Sequence, residues 1–193
     1  MDDIISELER AEFVFRGSPV KIVEAGEGRI RGQNYYKAIS EDITVLILSV
    51  YEGQLPYYRG WVELFSIDPE FYGSGFDKEV IELISRNSGP GEKLFVEYEN
   101  DRETAVCLSR GCPVEVTRLG SLMLDNGYTW FKDWYFPEGF NEGGQKLQGE
   151  KPIDEEHRRK HLEDIEKRVR EFLNTESDGG EYMIQAKRRA RKI

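Results

Sequence analysis

The stretch WVELFSIDPEFYGSGFDKEVIELISRNSGPGEKLFVEYEN, residues 61–100, decides the fold. Its first seven residues are apolar, aromatic or β-branched apart from Glu63 and Ser66, the signature of a buried strand. Asp68 and Pro69 stop that strand, because proline has no N–H to give a sheet. Glycines at 73 and 75 then make a turn, and Asp77 is placed to cap a helix over 78–85. Val80, Ile81 and Ile84 fall on one face of that helix. Gly89, Pro90 and Gly91 end it, and residues 93–100 read as a second strand. A strand–helix–strand unit of this length predicts a right-handed parallel crossover.

The turn is the chemical centre of the unit. Gly73 and Gly75 let the backbone present N–H groups where a helix begins. The helix dipole adds positive potential there, so an anion such as a pyrophosphate fits the position. The same glycines would also close a tight turn with no ligand at all.

Working outward, residues 2–12 read as a short helix with an apolar stripe of Ile4, Ile5 and Leu8. Residues 12–23 alternate towards extended structure, and 24–28 read as a turn. Residues 32–40 and 43–51 are strand candidates; the second is apolar enough to be buried on both faces. Residues 52–56 form a loop. Helical patterns follow over 101–110 and 114–124, and Asn126 with Gly127 marks a helix end. Residues 128–136 are the densest aromatic stretch, read as a strand whose outward face suits ligand stacking or edge packing. Residues 137–152 are polar and glycine-rich, which predicts a long surface loop. Residues 154–174 form a charged helix with a seam of Leu162, Ile165, Val169 and Phe172, fit to dock on the domain or to pair with a second copy. The expected division is a domain over 1–152, a charged helix over 153–175 and a flexible basic tail over 176–193. Strands before the crossover form an antiparallel meander, so the fold class is a mixed α/β sheet.

Composition narrows the function classes. The net charge is −10, although five of the last seven residues are basic. An acidic body disfavours non-specific nucleic-acid binding by the domain; the cations at 187–192 leave an RNA or anionic-surface contact open. No run approaches the ~18 apolar residues of a membrane span, and the N-terminus is acidic, so the expected location is the cytoplasm. Cys107 and Cys112 are too few for a disulfide framework or a zinc site and read as reduced thiols in or beside a helix. His157 and His161, one turn apart, lack a third ligand in the sequence and read as exposed helix residues.

The order of helix, strands, strand with glycine turn, helix, strand, helix, Gly127-Tyr128 and strand resembles the GNAT superfamily of acyl-CoA-dependent N-acyltransferases over roughly residues 1–150. The runs 118–139 and 146–152 look like an archaeal and bacterial family known as a domain of unknown function and grouped with GNAT-like folds. The superfamily's Gln/Arg-x-x-Gly-x-Gly/Ala motif falls on Glu70, Gly73 and Gly75: both glycines match, and Glu70 replaces the first residue. The resemblance implies a GNAT-like fold, with acetyl-CoA or another acyl-CoA bound by Tyr72, Gly73, Ser74 and Gly75. Its pantetheine arm would lie along the backbone of Phe65 to Ile67, and Asn100 would stand where the strands splay to admit it. The tyrosine that often serves as general acid has no counterpart here; Leu122 and Met123, or Ser109 in another alignment, stand near its place. Attack by an amine acceptor needs a base, and Glu97 and Glu63 on the two central strands are the available carboxylates. The alternative is a non-catalytic GNAT-like module that holds RNA or a protein through the aromatic strand and the basic tail, with homodimerisation through the charged helix compatible with either.

Overall fold

The structure is a computed structural model and describes residues 4–28, 31–51, 60–136, 144–175 and 180–193. Helix α1 (Ile4–Arg10) precedes a short hairpin, β1 (Val14–Phe15) and β2 (Ser18–Pro19). A seven-stranded sheet follows: β3 (Lys21–Glu27), β4 (Gln33–Ser40), β5 (Ile43–Tyr51), β6 (Trp61–Ser66), β7 (Lys93–Glu97), β8 (Trp130–Phe136) and β9 (Gly144–Glu150). Helix α2 (Phe76–Asn87) connects β6 to β7; α3 (Arg102–Ser109) and α4 (Arg118–Asp125) lie between β7 and β8. Helices α5 (Glu155–Leu173) and α6 (Glu181–Ala190) complete the chain.

The strand order is β3-β4-β5-β6-β7-β9-β8. β3 to β6 form an antiparallel meander, β6 and β7 pair in parallel across α2, and β9 runs antiparallel between β7 and β8. This is a mixed α/β fold.

One sheet face is apolar and covered by helices. Leu46, Leu48, Val62, Leu64, Leu94 and Val96 pack with Ile4 and Leu8 of α1, Val80, Ile81 and Ile84 of α2, and Leu119 and Met123 of α4. Each fully buried aliphatic side chain there contributes about 1.5–3 kcal/mol. A second core lies where α3, α5 and α6 meet, built from Cys107, Val116, Ile165, Val169, Phe172, Met183 and Ala186 among others. The seam of the charged helix is thus spent on this chain itself.

Several sequence expectations need correction. Residues 144–150, expected inside a loop, form β9 in the interior of the sheet; residues 137–143 lie outside the described residues. Gly149 explains part of this: a Cβ there would stand 2.5 Å from Met123 Cε and 3.1 Å from Tyr128 Cβ, so the strand passes directly beneath α4. Residues 24–27 continue β3, bent by a register shift between Glu24 and Gly26, and do not form a turn. The helix expected over 114–124 breaks at Thr117, whose hydroxyl caps α4 by accepting from the Gly120 N–H. Asp77 is not the cap of α2 but its second residue, because Gly75 holds the cap position in the left-handed region at φ +94°. The basic end, expected to be a flexible tail, is helical over Glu181–Ala190 and docks through Met183, Ala186 and Ala190. Residues 52–59, expected to hold a loop, and 176–179 lie outside the described residues.

Candidate functional site

The central parallel pair begins in register and then parts. Trp61 to Leu64 lie beside Lys93 to Val96. Beyond them Phe65 and Ser66 stay with β5, while the Tyr98 N–H goes to Gln145 O of β9. A bulge draws β6 further away: the N–H groups of Ile67 and Asp68 both donate to Val45 O, at 3.0 and 3.1 Å. The sheet therefore opens between the C-terminal ends of β6 and β7, at the edge where the glycine turn sits.

Two side chains reach across this opening. Asn100 Nδ2 donates to Ser66 O at 3.1 Å, and the Tyr72 hydroxyl donates to Glu97 O. Burial, with Glu97 and Asp101 adding to it, raises the Tyr72 phenol well above its ordinary value, so it stays a donor. Ile67, half exposed at 51%, lines the rim.

The turn follows directly. Gly73 and Gly75 have φ of +84° and +94°, and a Cβ built on either meets nothing within 4 Å, so this backbone faces open space. Ser74 Oγ donates to Phe71 O at 2.8 Å and accepts from the Phe76 N–H at 3.2 Å, while Gly75 gives α2 no side-chain cap. Glu70, in the position where the motif carries Gln or Arg, is held by Arg16 Nε at 2.8 Å, and Arg16 Nη2 also holds Asp68 Oδ1 at 3.0 Å. The carboxylate that would repel a phosphate is thus paired with a cation from the β1–β2 hairpin.

Sequence reasoning missed Arg118. The starts of α2, α3 and α4 converge on it: its guanidinium binds Asp77 Oδ2 in the first turn of α2 at 2.5 Å and Asp101 Oδ2, the cap of α3, at 3.0 Å. It also lies 5.4 Å over the Tyr72 ring. Burial alone would lower its pKa, but Asp101 and Asp77 outweigh this and raise it. Among the described residues its Nη2 is buried without a hydrogen-bond partner. One signal was available: an arginine at the first position of a helix opposes the dipole and needs acids to hold it.

The expected catalytic carboxylates lie elsewhere, on the sheet face away from the core helices. Glu63 is ion-paired with Lys146 of β9, which is 1% exposed and stands 4.3 Å over the Phe65 ring. Glu97 is half-buried and directly opposite Lys146 in the β7–β9 register. Gln148 accepts from Trp134 Nε1 at 2.7 Å on the same face. The structure therefore brings Tyr72, Gly73, Ser74, Gly75, Ile67 and Asn100 together at the opening, and groups Glu63, Glu97 and Phe65 around Lys146. His161 Nδ1 lies 3.2 Å from Thr129 Oγ1, and His157 pairs with Asp154 in the first turn of α5.

A mixed α/β protein with a parting parallel pair and a glycine turn is the class this geometry defines. The chain belongs to the family described as Protein of unknown function (DUF1122), whose profile matches residues 16–176. It is similar to a protein of unknown function, AQ1966, from Aquifex aeolicus VF5, with 33% identity, 98% of each chain covered and a TM-score of 0.83. GNAT acetyltransferases lie much further off. One from Bacteroides thetaiotaomicron shares 15% identity over 84% of this chain and 89% of its own, with a TM-score of 0.39. A chimera of the spermidine N-acetyltransferase SpeG from Vibrio cholerae and hSSAT shares 13% over 83% and 93%, with a TM-score of 0.35. A search of curated proteins found no match. No described helix is long and apolar enough to cross a membrane.

Proposed function

We propose that the protein binds an acyl-CoA at the turn of Gly73, Ser74 and Gly75 and transfers its acyl group to an amine. One observation carries this reading: the open helix start, whose cap residue Gly75 has no side chain, lies at the same edge where β6 and β7 stop pairing. A pyrophosphate there would meet outward-facing amides and the positive end of α2, with Glu70 neutralised by Arg16. The pantetheine arm would enter between β6 and β7, where Ser66 O and Glu97 O now accept from Asn100 and Tyr72. Entry therefore requires these two side chains to yield their carbonyls to the arm.

The amine would approach from the opposite sheet face. Glu97, half-buried on β7 opposite Lys146, would take the amine proton through a water. Strand N–H groups at the opening would stabilise the developing oxyanion. The alternative reading, a binding module contacting RNA through its basic end, draws less support: Arg189 pairs with Glu103, and Lys187 donates to Thr175 O at 2.7 Å, which leaves Arg188, Arg191 and Lys192 facing solvent.

The test is calorimetric titration of acetyl-CoA and CoA. Binding is expected in the wild type and lost in Gly73→Val, while Glu97→Gln keeps affinity and loses turnover in a screen of amines. Tyr72→Phe removes one bond across the opening and should tighten CoA binding. No heat from either ligand with folded wild-type protein overturns the reading.

A further inference from the structure

The acyl-transfer reading leaves both cysteines unused, and the fold brings them together. Helix α3 ends in a Schellman turn: the Cys112 N–H donates to Cys107 O at 3.0 Å and the Gly111 N–H to Leu108 O at 2.9 Å, with Gly111 left-handed at φ +76°. Such a turn sets the side chain of the third-last helical residue against the one two places past the cap. Here both are thiols, and Cys107 Sγ also donates to Tyr182 O of α6 at 3.7 Å. Met183 of α6, 71 residues further on, brings its sulfur 3.3 Å from Cys112 Sγ. Exposure is 0% at Cys107, 5% at Cys112 and 6% at Met183.

We propose that Cys107, Cys112 and Met183 form a binding site for a soft monovalent metal ion, copper(I). Soft thiolate and thioether ligands select copper(I), zinc or iron–sulfur clusters, and the clusters are held by four protein ligands. Zinc prefers four ligands drawn from thiolate, imidazole and carboxylate, and a thioether is not in that set. Binding releases both thiol protons to solvent and moves no electron; two sulfur anions and one sulfur lone pair become the ligands.

Metal–sulfur bonds of about 2.3 Å place trigonal ligands roughly 4 Å apart. The Cys112–Met183 contact therefore has to open slightly, which the flexible methionine side chain allows.

The experiment is an anaerobic titration of the full-length reduced protein with copper(I) held by bicinchoninate. A single equivalent should leave the indicator, with thiolate-to-copper absorption appearing in the ultraviolet and the thermal midpoint rising. Met183→Leu conserves volume and should keep the fold by circular dichroism. It should weaken affinity by at least the roughly tenfold that disturbing even an outer partner of a metal ligand costs. Cys107→Ser should abolish uptake. Copper left on the indicator, equal uptake by folded Met183→Leu, or tighter zinc(II) binding in a parallel titration would each overturn the site. None of these outcomes depends on acyl-CoA.

Discussion

Lys146 and Glu63 form a charged pair that water barely reaches, and such a pair is costly to halve. Glu63→Gln removes the carboxylate that Lys146 Nζ donates to and should lower unfolding free energy by about 3–5 kcal/mol in urea titration. The double variant Glu63→Leu/Lys146→Met should recover most of that loss, since apolar residues of similar volume replace a buried pair at little cost. His161 carries a pH effect. Burial, with His157 beside it, lowers its pKa below the usual 6.5. The unfolded chain therefore binds a proton at His161 that the folded chain does not, and stability rises with pH through this window and levels off above about 6.5. Comparing urea midpoints of wild type and His161→Gln on either side of that value should show the wild type losing more on acidification.

At the scale of elements, α6 is held by a thin apolar face. Ala186 is fully buried, and Ala186→Glu should undock the helix and speed the reaction of Cys107 with a thiol reagent, measured against the same variant unfolded in denaturant. The same thinness hid α6 from the sequence reading: two alanines and a methionine between arginines carry little periodic signal. Strand β9 was hidden for a different reason. Leu147 is its only large apolar residue, and Lys146, Gln148 and Gly149 are buried through a charge pair, a tryptophan hydrogen bond and a close approach of α4, none of which shows as hydrophobic alternation. The unit at 61–100 was legible because β6, α2 and β7 each follow their own period without interruption. The glycine turn was equally plain. Tyr72 and Asn100 closing the opening, Arg16 neutralising Glu70 and Arg118 joining three helix starts all depend on residues far apart in sequence, and local spacing cannot reveal them.

For the whole molecule, a net charge of −10 opposes the approach of a polyanion such as CoA. The bimolecular association rate, read by stopped flow, should rise as salt is raised over the range where the screening length falls below ~10 Å. A ligand steered by a basic surface would show the reverse. The order of strands also governs how the molecule comes into being. Among the described residues β9 is the last strand in chain order, and it takes the place between β7 and β8. A nascent chain that has delivered β8 has no neighbour for it, and β7 shows the ribosome's surroundings a bare row of amides and carbonyls. The sheet closes only once residue 150 has left the exit tunnel, so until then the β7 edge stands open, and any chaperone that recognises unpaired strand edges meets it then.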